Sequence, residues 1–307
     1  MIVKPKIEEV RKVADSGEYK VIPISCELLA DVKTPIEVLR ILKNVSAHCY
    51  MLESVAEKEK WGRYTFLGFN PKLCITCTAG KMKIGDTEFF TDNPSKHIRE
   101  VLAKHKSPRL DYLPTFTGGL VGYFAYDYIT YAEPTLKNDV DDTENFQDVD
   151  LMLFDKVIAF DNLRQKIILI VNMPLENIDE NYSRAVDELK NMRELILNGT
   201  QKVEPESKLT SEVTPLFDKE TYCAMVEKAK NYIREGDIFQ IVLANRLSAT
   251  FEGSLLNTYR ILRLINPSPY MFYFSGTDIE VAGASPETLY HVYRRQNENR
   301  RHGNFHR

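Results

Sequence analysis

Cysteine is scarce in this chain and its count is odd: Cys26, Cys49, Cys74, Cys77 and Cys223. The opening stretch MIVKPKIEEVRKVADSGEYK also lacks the apolar core of an export signal. Together these exclude a disulfide-built secreted scaffold and point to reduced thiols in a cytoplasm. The C-x-x-C of Cys74 and Cys77 has no second copy. It lies in PKLCITCTAG, which reads as a strand, and an offset of three on a strand sends the two thiols to opposite faces, so they read as ordinary buried thiols and not as half of a zinc site.

Long apolar runs are missing too. None approaches the roughly 18 residues that span a bilayer. An excess of one charge is also missing: 40 Lys and Arg against 44 Asp and Glu give a net charge of -4. Neither nucleic acid nor an anionic membrane surface is implied as partner. No Gly-Lys-Ser/Thr follows the glycines of FTGGLVGYFAYDYI, which excludes a phosphate loop; glycines in a strand serve close packing or a bulge. DVDDTENFQDVD lacks the glycine and closing glutamate of a calcium loop and reads as an exposed acidic loop. AEKEKWGR, with the single tryptophan Trp61, reads as solvated. His48, His97 and His105 have no second ligand at metal spacing.

What is present suits a globular protein of one or two domains: 307 residues, 43% hydrophobic and 27% charged. Residues 20–175 are mostly strand-like, with a hairpin signal at Asp161-Asn162 in LMLFDKVIAFDNLRQKIILIVN. Helices are predicted near 95–106 and 180–197, the second from the stripe Tyr182, Ala185, Val186, Leu189, Met192 and Ile196. The polar, proline-bearing NGTQKVEPESKLTSEVTP reads as a linker over 198–215. Beyond it Asp218 caps a helix with apolar positions Tyr222, Met225, Val226, Ala229, Tyr232 and Ile233, ended by Gly236. DIFQIVLANRLSATF reads as a strand. Ser254 caps the next helix, which stops at the prolines of NPSPY. YMFYFSG and IEVAGASPETLY complete the strands. Long strands with amphipathic helices and no βαβ regularity predict an α+β fold.

Within the predicted strand GDIFQIVLANR, alternation puts Ile238, Gln240 and Val242 on one face. A neutral amide among apolar neighbours must find partners, across the sheet or in a pocket. Glu287 follows Pro286 in ASPE and is either a solvated strand-end glutamate or an acid aimed into a site.

Four stretches, in this order and spacing, resemble component I of anthranilate synthase among the chorismate-utilising enzymes. They are YMLESVAEKEKWGRYTFLGFNP (50–71), FTGGLVGYFAYDYI (116–129), GDIFQIVLANR (236–246) and NPSPYMFYFSGTDIEVAGASPETL (266–289). The resemblance runs from about Thr34 to Leu289. It implies large, mostly antiparallel sheets with packed helices, and conversion of chorismate and ammonia to anthranilate and pyruvate with Mg²⁺. The ammonia would come from a glutamine amidotransferase subunit. It implies that Gln240 stands where relatives making isochorismate or salicylate carry a water-activating lysine; glutamine cannot serve as that base, which fits ammonia as nucleophile. It implies Glu287 as the acid that protonates the departing C4 hydroxyl, with a carboxyl acidity weakened by burial. It implies feedback inhibition by L-tryptophan at Glu53, Ser54, Pro269, Tyr270 and Met271, on both sides of the linker.

The resemblance also frames the end of the chain. Residues 1–197 are expected as the N-terminal domain, 198–215 as linker and 216–289 as an incomplete chorismate-binding domain. Residues 290–307, with five arginines and three histidines against one acid, are expected to be an aberrant basic tail from a shifted reading frame. The acidic Mg²⁺ ligands are expected to lie beyond the break, so none is assigned in this chain, and the chain as written is expected to be inactive. Rival readings are the aminodeoxychorismate synthase component and a non-catalytic, tryptophan-binding regulatory fragment.

Overall fold

The computed structural model describes residues 1–54, 62–133, 135–136 and 144–287. Trp61, the first part of the acidic stretch (139–143) and the basic tail over 290–307 lie outside the described residues; the end of that stretch, Val149–Asp150, is not an exposed loop but is buried at the start of a strand. The first third alternates strand and helix: β1 (Val3–Lys4), α1 (Ile7–Asp15), β2 (Val21–Leu29), α2 (Pro35–Val45), β3 (Cys49–Glu53), β4 (Tyr64–Phe69), β5 (Leu73–Thr78), β6 (Lys81–Ile84), β7 (Thr87–Phe90) and α3 (Pro94–Ala103). The middle carries β8 (Gly119–Phe124), α4 (Ile129–Ala132), β9 (Val149–Phe154), β10 (Lys156–Asp161), β11 (Lys166–Pro174) and α5 (Ile178–Asn198). Then come β12 (Lys208–Leu209), β13 (Thr214–Pro215), α6 (Lys219–Glu235), β14 (Leu247–Ser248), β15 (Phe251–Glu252), α7 (Leu255–Ile265), β16 (Tyr270–Ser275) and β17 (Glu280–Ser285).

Two antiparallel sheets dominate. One runs β1-β2-β11-β10-β4-β3-β16-β17, the other β7-β6-β5-β9-β8. Strands β10 and β11 show why the larger one forms. Their apolar runs are buried on both faces, and alternation divides them: Ile158, Phe160, Ile167 and Leu169 join the main core, while Val157, Ala159, Ile168 and Ile170 join a core on the opposite face. The main core is closed by α1, α2, α5 and α7 through Val10, Leu39, Leu189 and Leu256. Each fully buried side chain of this kind is worth roughly 1.5–3 kcal/mol. On the far face Tyr50 meets Phe154 edge-on at 4.7 Å and joins the two sheets. The thiols of β5 do diverge: Cys77 packs beneath α3, Cys74 against the aromatic cluster between the sheets.

The predicted helices appear as α3, α5, α6 and α7. Asp218 accepts the Thr221 N–H at 2.7 Å, and Gly236, at φ +84°, ends α6. Ser254 accepts the Leu256 N–H at 3.2 Å. Two helices in the strand-like first third were not foreseen. α2 opens with a capping box: Thr34 Oγ1 accepts the Glu37 N–H at 3.3 Å, Glu37 accepts the Thr34 N–H at 2.9 Å, and Pro35 holds the first helical position.

One prediction fails outright. DIFQIVLANRLSATF is not a continuous strand; only the two-residue β14 and β15 form within it. A strand needs a neighbour to satisfy its ladder, and among the described residues no strand lies beside 238–246. The stripe of α6 is correspondingly open, with only Ala229 fully buried.

Candidate functional site

The register of β3 against β16 brings together what the sequence separates. Glu53 lies opposite Met271, and Leu52 opposite Phe272. Met271 is buried, while Ser54, Pro269 and Tyr270 are half-buried around the same strand ends. Helix α7 lies over this junction. Tyr259 and Arg263, four residues apart and so on one helix face, both reach Glu53. Arg263 donates from Nε at 2.5 Å and from Nη2 at 2.8 Å, one bond to each carboxylate oxygen, and the Tyr259 hydroxyl donates at 2.6 Å. The Glu53 side chain is 6% exposed, so this bidentate pairing compensates a carboxylate taken out of water. Burial pushes the Tyr259 phenol well above its ordinary range, and the neighbouring Glu53 charge pushes it further.

A second polar cluster lies one strand further on and was not foreseen. Lys43 of α2, 9% exposed, donates to Tyr273 Oη at 2.5 Å and to Glu280 Oε1 at 3.0 Å, and its Nζ lies 3.7 Å from Glu204 Oε1. Tyr273 donates to Glu280, and Ser254 to the other Glu204 oxygen. Burial raises the Glu280 carboxyl, but hydrogen bonds from Tyr273 and Lys43 outweigh it and hold it below its ordinary range. The partners are 230 residues apart in sequence, so no local pattern announces them.

The β16–β17 turn is held from two other elements. Asp150 of β9 is fully buried and accepts the Thr277 N–H at 2.9 Å and the Thr277 hydroxyl at 3.0 Å. His48 Nδ1 lies 2.9 Å from the Gly276 carbonyl oxygen. Burial raises the Asp150 carboxyl despite the Thr277 bonds. A cleft of about 1330 Å³ runs between the start of α2, residues 204–207 and α7, with Arg40, Arg260 and Arg263 among its walls. Arg263 thus connects the cleft to Glu53.

Gln240 and Glu287 are not gathered into this site. Gln240 is exposed on the unpaired segment, not set among apolar neighbours on a sheet. Glu287 is exposed two residues past the end of β17, its N–H 3.4 Å from Ser285 Oγ. The apolar wall expected to weaken its acidity is not formed by the described residues. Nor do they bring together three or more His, Cys, Asp or Glu that could hold a metal ion, so the described residues offer Mg²⁺ no donor set.

Residues 47–300 match the family described as chorismate binding enzyme. The chain belongs to the chorismate-binding enzyme family. It is 39% identical over 300 residues to anthranilate synthase component 1 of Acetivibrio thermocellus, covering 94% of this chain and 60% of that protein. It is 39% identical over 295 residues to anthranilate synthase component 1 of Aquifex aeolicus, covering 92% and 58%. Among solved structures, anthranilate synthase component I from Streptococcus pneumoniae TIGR4 superposes with a TM-score of 0.59 at 26% identity, over 85% of this chain and 57% of that one. The α+β architecture and the resemblance read from the four motifs are both borne out. This chorismate-binding enzyme chain spans about 60% of the length of the curated relatives it matches. Among the described residues no helix is long and apolar enough to cross a membrane.

Proposed function

We propose that this chain carries the regulatory part of an anthranilate synthase component I, binding L-tryptophan at Glu53, Ser54, Pro269, Tyr270 and Met271. The observation that supports the proposal is the Glu53–Met271 register, which sets the end of β3 beside the start of β16. Half-buried Tyr270 provides apolar surface for an indole, while Met271 is buried in the main core and would contribute from behind it. The Glu53 carboxylate has about four lone-pair positions; Arg263 and Tyr259 use three, which leaves one for the ligand's ammonium. The five free cysteines suit a reducing cytoplasm.

The reaction of the whole protein, on this reading, is chorismate plus ammonia to anthranilate, pyruvate and water, in tryptophan biosynthesis. An amidotransferase subunit would release the ammonia from glutamine; the Mg²⁺ that the family resemblance implies has no donor set among the described residues of this chain. Gln240 would face the nucleophile and Glu287 would protonate the leaving C4 hydroxyl. In the 307-residue chain both are exposed, and a general acid needs a dry, positioned carboxyl. The chain alone is therefore proposed to be inactive, with domains divided near 198–215. Titration calorimetry with L-tryptophan, beside a fluorescence assay for anthranilate with chorismate, Mg²⁺ and ammonium, tests both halves. Heat of binding without product is the expected result; no binding at millimolar tryptophan sinks the regulatory reading, and product formation sinks the inactivity.

A further inference from the structure

We infer that Arg263 is a specificity-determining residue of the site at Glu53: its charge cancels that of the carboxylate, so the site selects a zwitterion over a bare cation. The inference rests on the tryptophan-binding reading and deepens it, by naming the ligand charge that the site accepts.

The first support is the charge balance. Glu53 is nearly buried, and among the described residues Arg263 is the one cation within ion-pair distance of it. Lys43 is committed elsewhere, to Tyr273, Glu280 and Glu204. The pair sums to zero in a place largely withdrawn from water, where one added charge of either sign is costly. An ammonium brought to Glu53 adds one positive charge. A ligand whose own carboxylate lies a few bonds away restores the balance. A ligand with the ammonium alone does not.

The second support is which oxygen is open. Glu53 Oε1 accepts from both Arg263 Nε at 2.5 Å and the Tyr259 hydroxyl at 2.6 Å. Oε2 accepts from Arg263 Nη2 alone among the described residues, at 2.8 Å. With about two lone-pair positions per carboxylate oxygen, the open one belongs to Oε2. A ligand ammonium there shares an oxygen with the guanidinium, so two cations sit on one acceptor. Their repulsion is relieved when the ligand also brings an anion to the same place.

The third support is that Arg263 is fixed. It lies on α7, whose Leu256 and Tyr259 are buried in the main core, and its fork holds both carboxylate oxygens. The helix closes on the Asn266 N–H, which donates to the Leu262 carbonyl at 2.9 Å, immediately before Pro269 and Tyr270. The guanidinium cannot swing away from an arriving cation without breaking the bidentate pair.

Titration calorimetry on the 307-residue chain tests this with two ligands: L-tryptophan, a zwitterion, and tryptamine, the same indole and ammonium without the carboxylate. The readout is the ratio of the two dissociation constants, in which a loss of packing common to both ligands cancels. Arg263→Gln leaves the Glu53 charge uncompensated, and tryptamine is expected to gain on tryptophan by at least about tenfold relative to the parent. Arg263→Lys keeps the charge without the fork, and is expected to weaken both ligands while holding the ratio within about threefold of the parent's. Glu53→Gln leaves the arginine uncompensated and is expected to move the ratio the other way by at least about tenfold; this arm decides if Arg263→Gln is insoluble. A ratio unchanged in Arg263→Gln, or in Glu53→Gln where that arm decides, overturns the inference, as does an equal shift in Arg263→Lys. A parent chain that binds no tryptophan at millimolar concentration sinks the regulatory reading and the inference with it, whereas a parent that binds with an indifferent ratio sinks the inference alone.

Discussion

Removing the guanidinium of Arg263 is expected to cost far more than an ordinary surface ion pair. Glu53 is 6% exposed and has no other cation within ion-pair distance among the described residues, whereas Arg263 is 32% exposed and has its own access to water. Arg263→Ala therefore strands a buried anion with one remaining donor, the Tyr259 hydroxyl. Breaking a buried pair in this way costs about 3–5 kcal/mol; the open side of Arg263 admits water to the vacated space and lowers the expectation to about 2–4 kcal/mol. For a chain of this length that is a drop in melting temperature of about 4–8 °C. Glu53→Gln removes the charge and keeps an acceptor for Tyr259 and Arg263, so it is expected to cost about 1–2 kcal/mol. In the double variant no buried charge is left, and Arg263→Ala adds little. The coupling from a double-mutant cycle in urea is expected at about 2 kcal/mol. Equal costs of Arg263→Ala in the parent and in the Glu53→Gln variant, or a cost under about 0.5 kcal/mol in the parent, would refute the assignment of Glu53 as a buried charge held by α7.

Two buried aspartates should respond to acid in opposite senses. Burial alone would raise Asp161, but paired bonds from Arg63 at 3.2 and 2.7 Å and the N–H groups of Leu163 and Arg164 bring its carboxyl below the ordinary range. Its contribution is present above the unfolded value near pH 4 and is lost as pH falls below it; Asp161→Asn should flatten that acid loss in melts recorded from pH 5 downward. The Asp150 carboxyl is raised, so the native state takes up its proton first and stability from this group grows as pH falls toward about 4. Asp150→Asn keeps both Thr277 contacts and should match or exceed the parent's melting temperature at pH 7, with a smaller gain on acidification. Gly122→Ala would place a methyl carbon 1.9 Å from the Asp150 carbonyl oxygen; a stability loss above about 3 kcal/mol, or insoluble protein, is expected from expression and melting measurements.

The cores were legible where neighbours in sequence are neighbours in space. The stripe of α5 and the Asp161-Asn162 hairpin follow from spacing alone, and both form. α2 was missed although Thr34-Pro35-Ile36-Glu37 is a complete helix-start signature, because the surrounding strand-like stretches dominated the reading. GDIFQIVLANR fails for a different reason: its pattern is that of a strand, but a pattern cannot provide the neighbouring strand. Glu53, Ser54, Pro269, Tyr270 and Met271 were grouped by resemblance alone, and the β3–β16 register brings their two segments side by side. Arg263 and Tyr259 were overlooked as partners of Glu53. The signal available was an arginine four residues from a tyrosine on the core side of an otherwise apolar helix. Lys43 with Glu280 had no such signal, since only the finished sheet makes them adjacent.

The hairpin of β16 and β17 is fastened by residues made long before it. His48 and Gly276 are separated by 228 residues. At about 5–20 residues per second, β3 waits some 10–50 s on the ribosome for its neighbour. Through that interval Tyr50, Met51 and Leu52 lie on an open border of the growing sheet, and the chain is most prone to pair with the wrong partner. Arrival of the hairpin ends the hazard in one event, because ladder, turn clamp and the Lys43 cluster all close together.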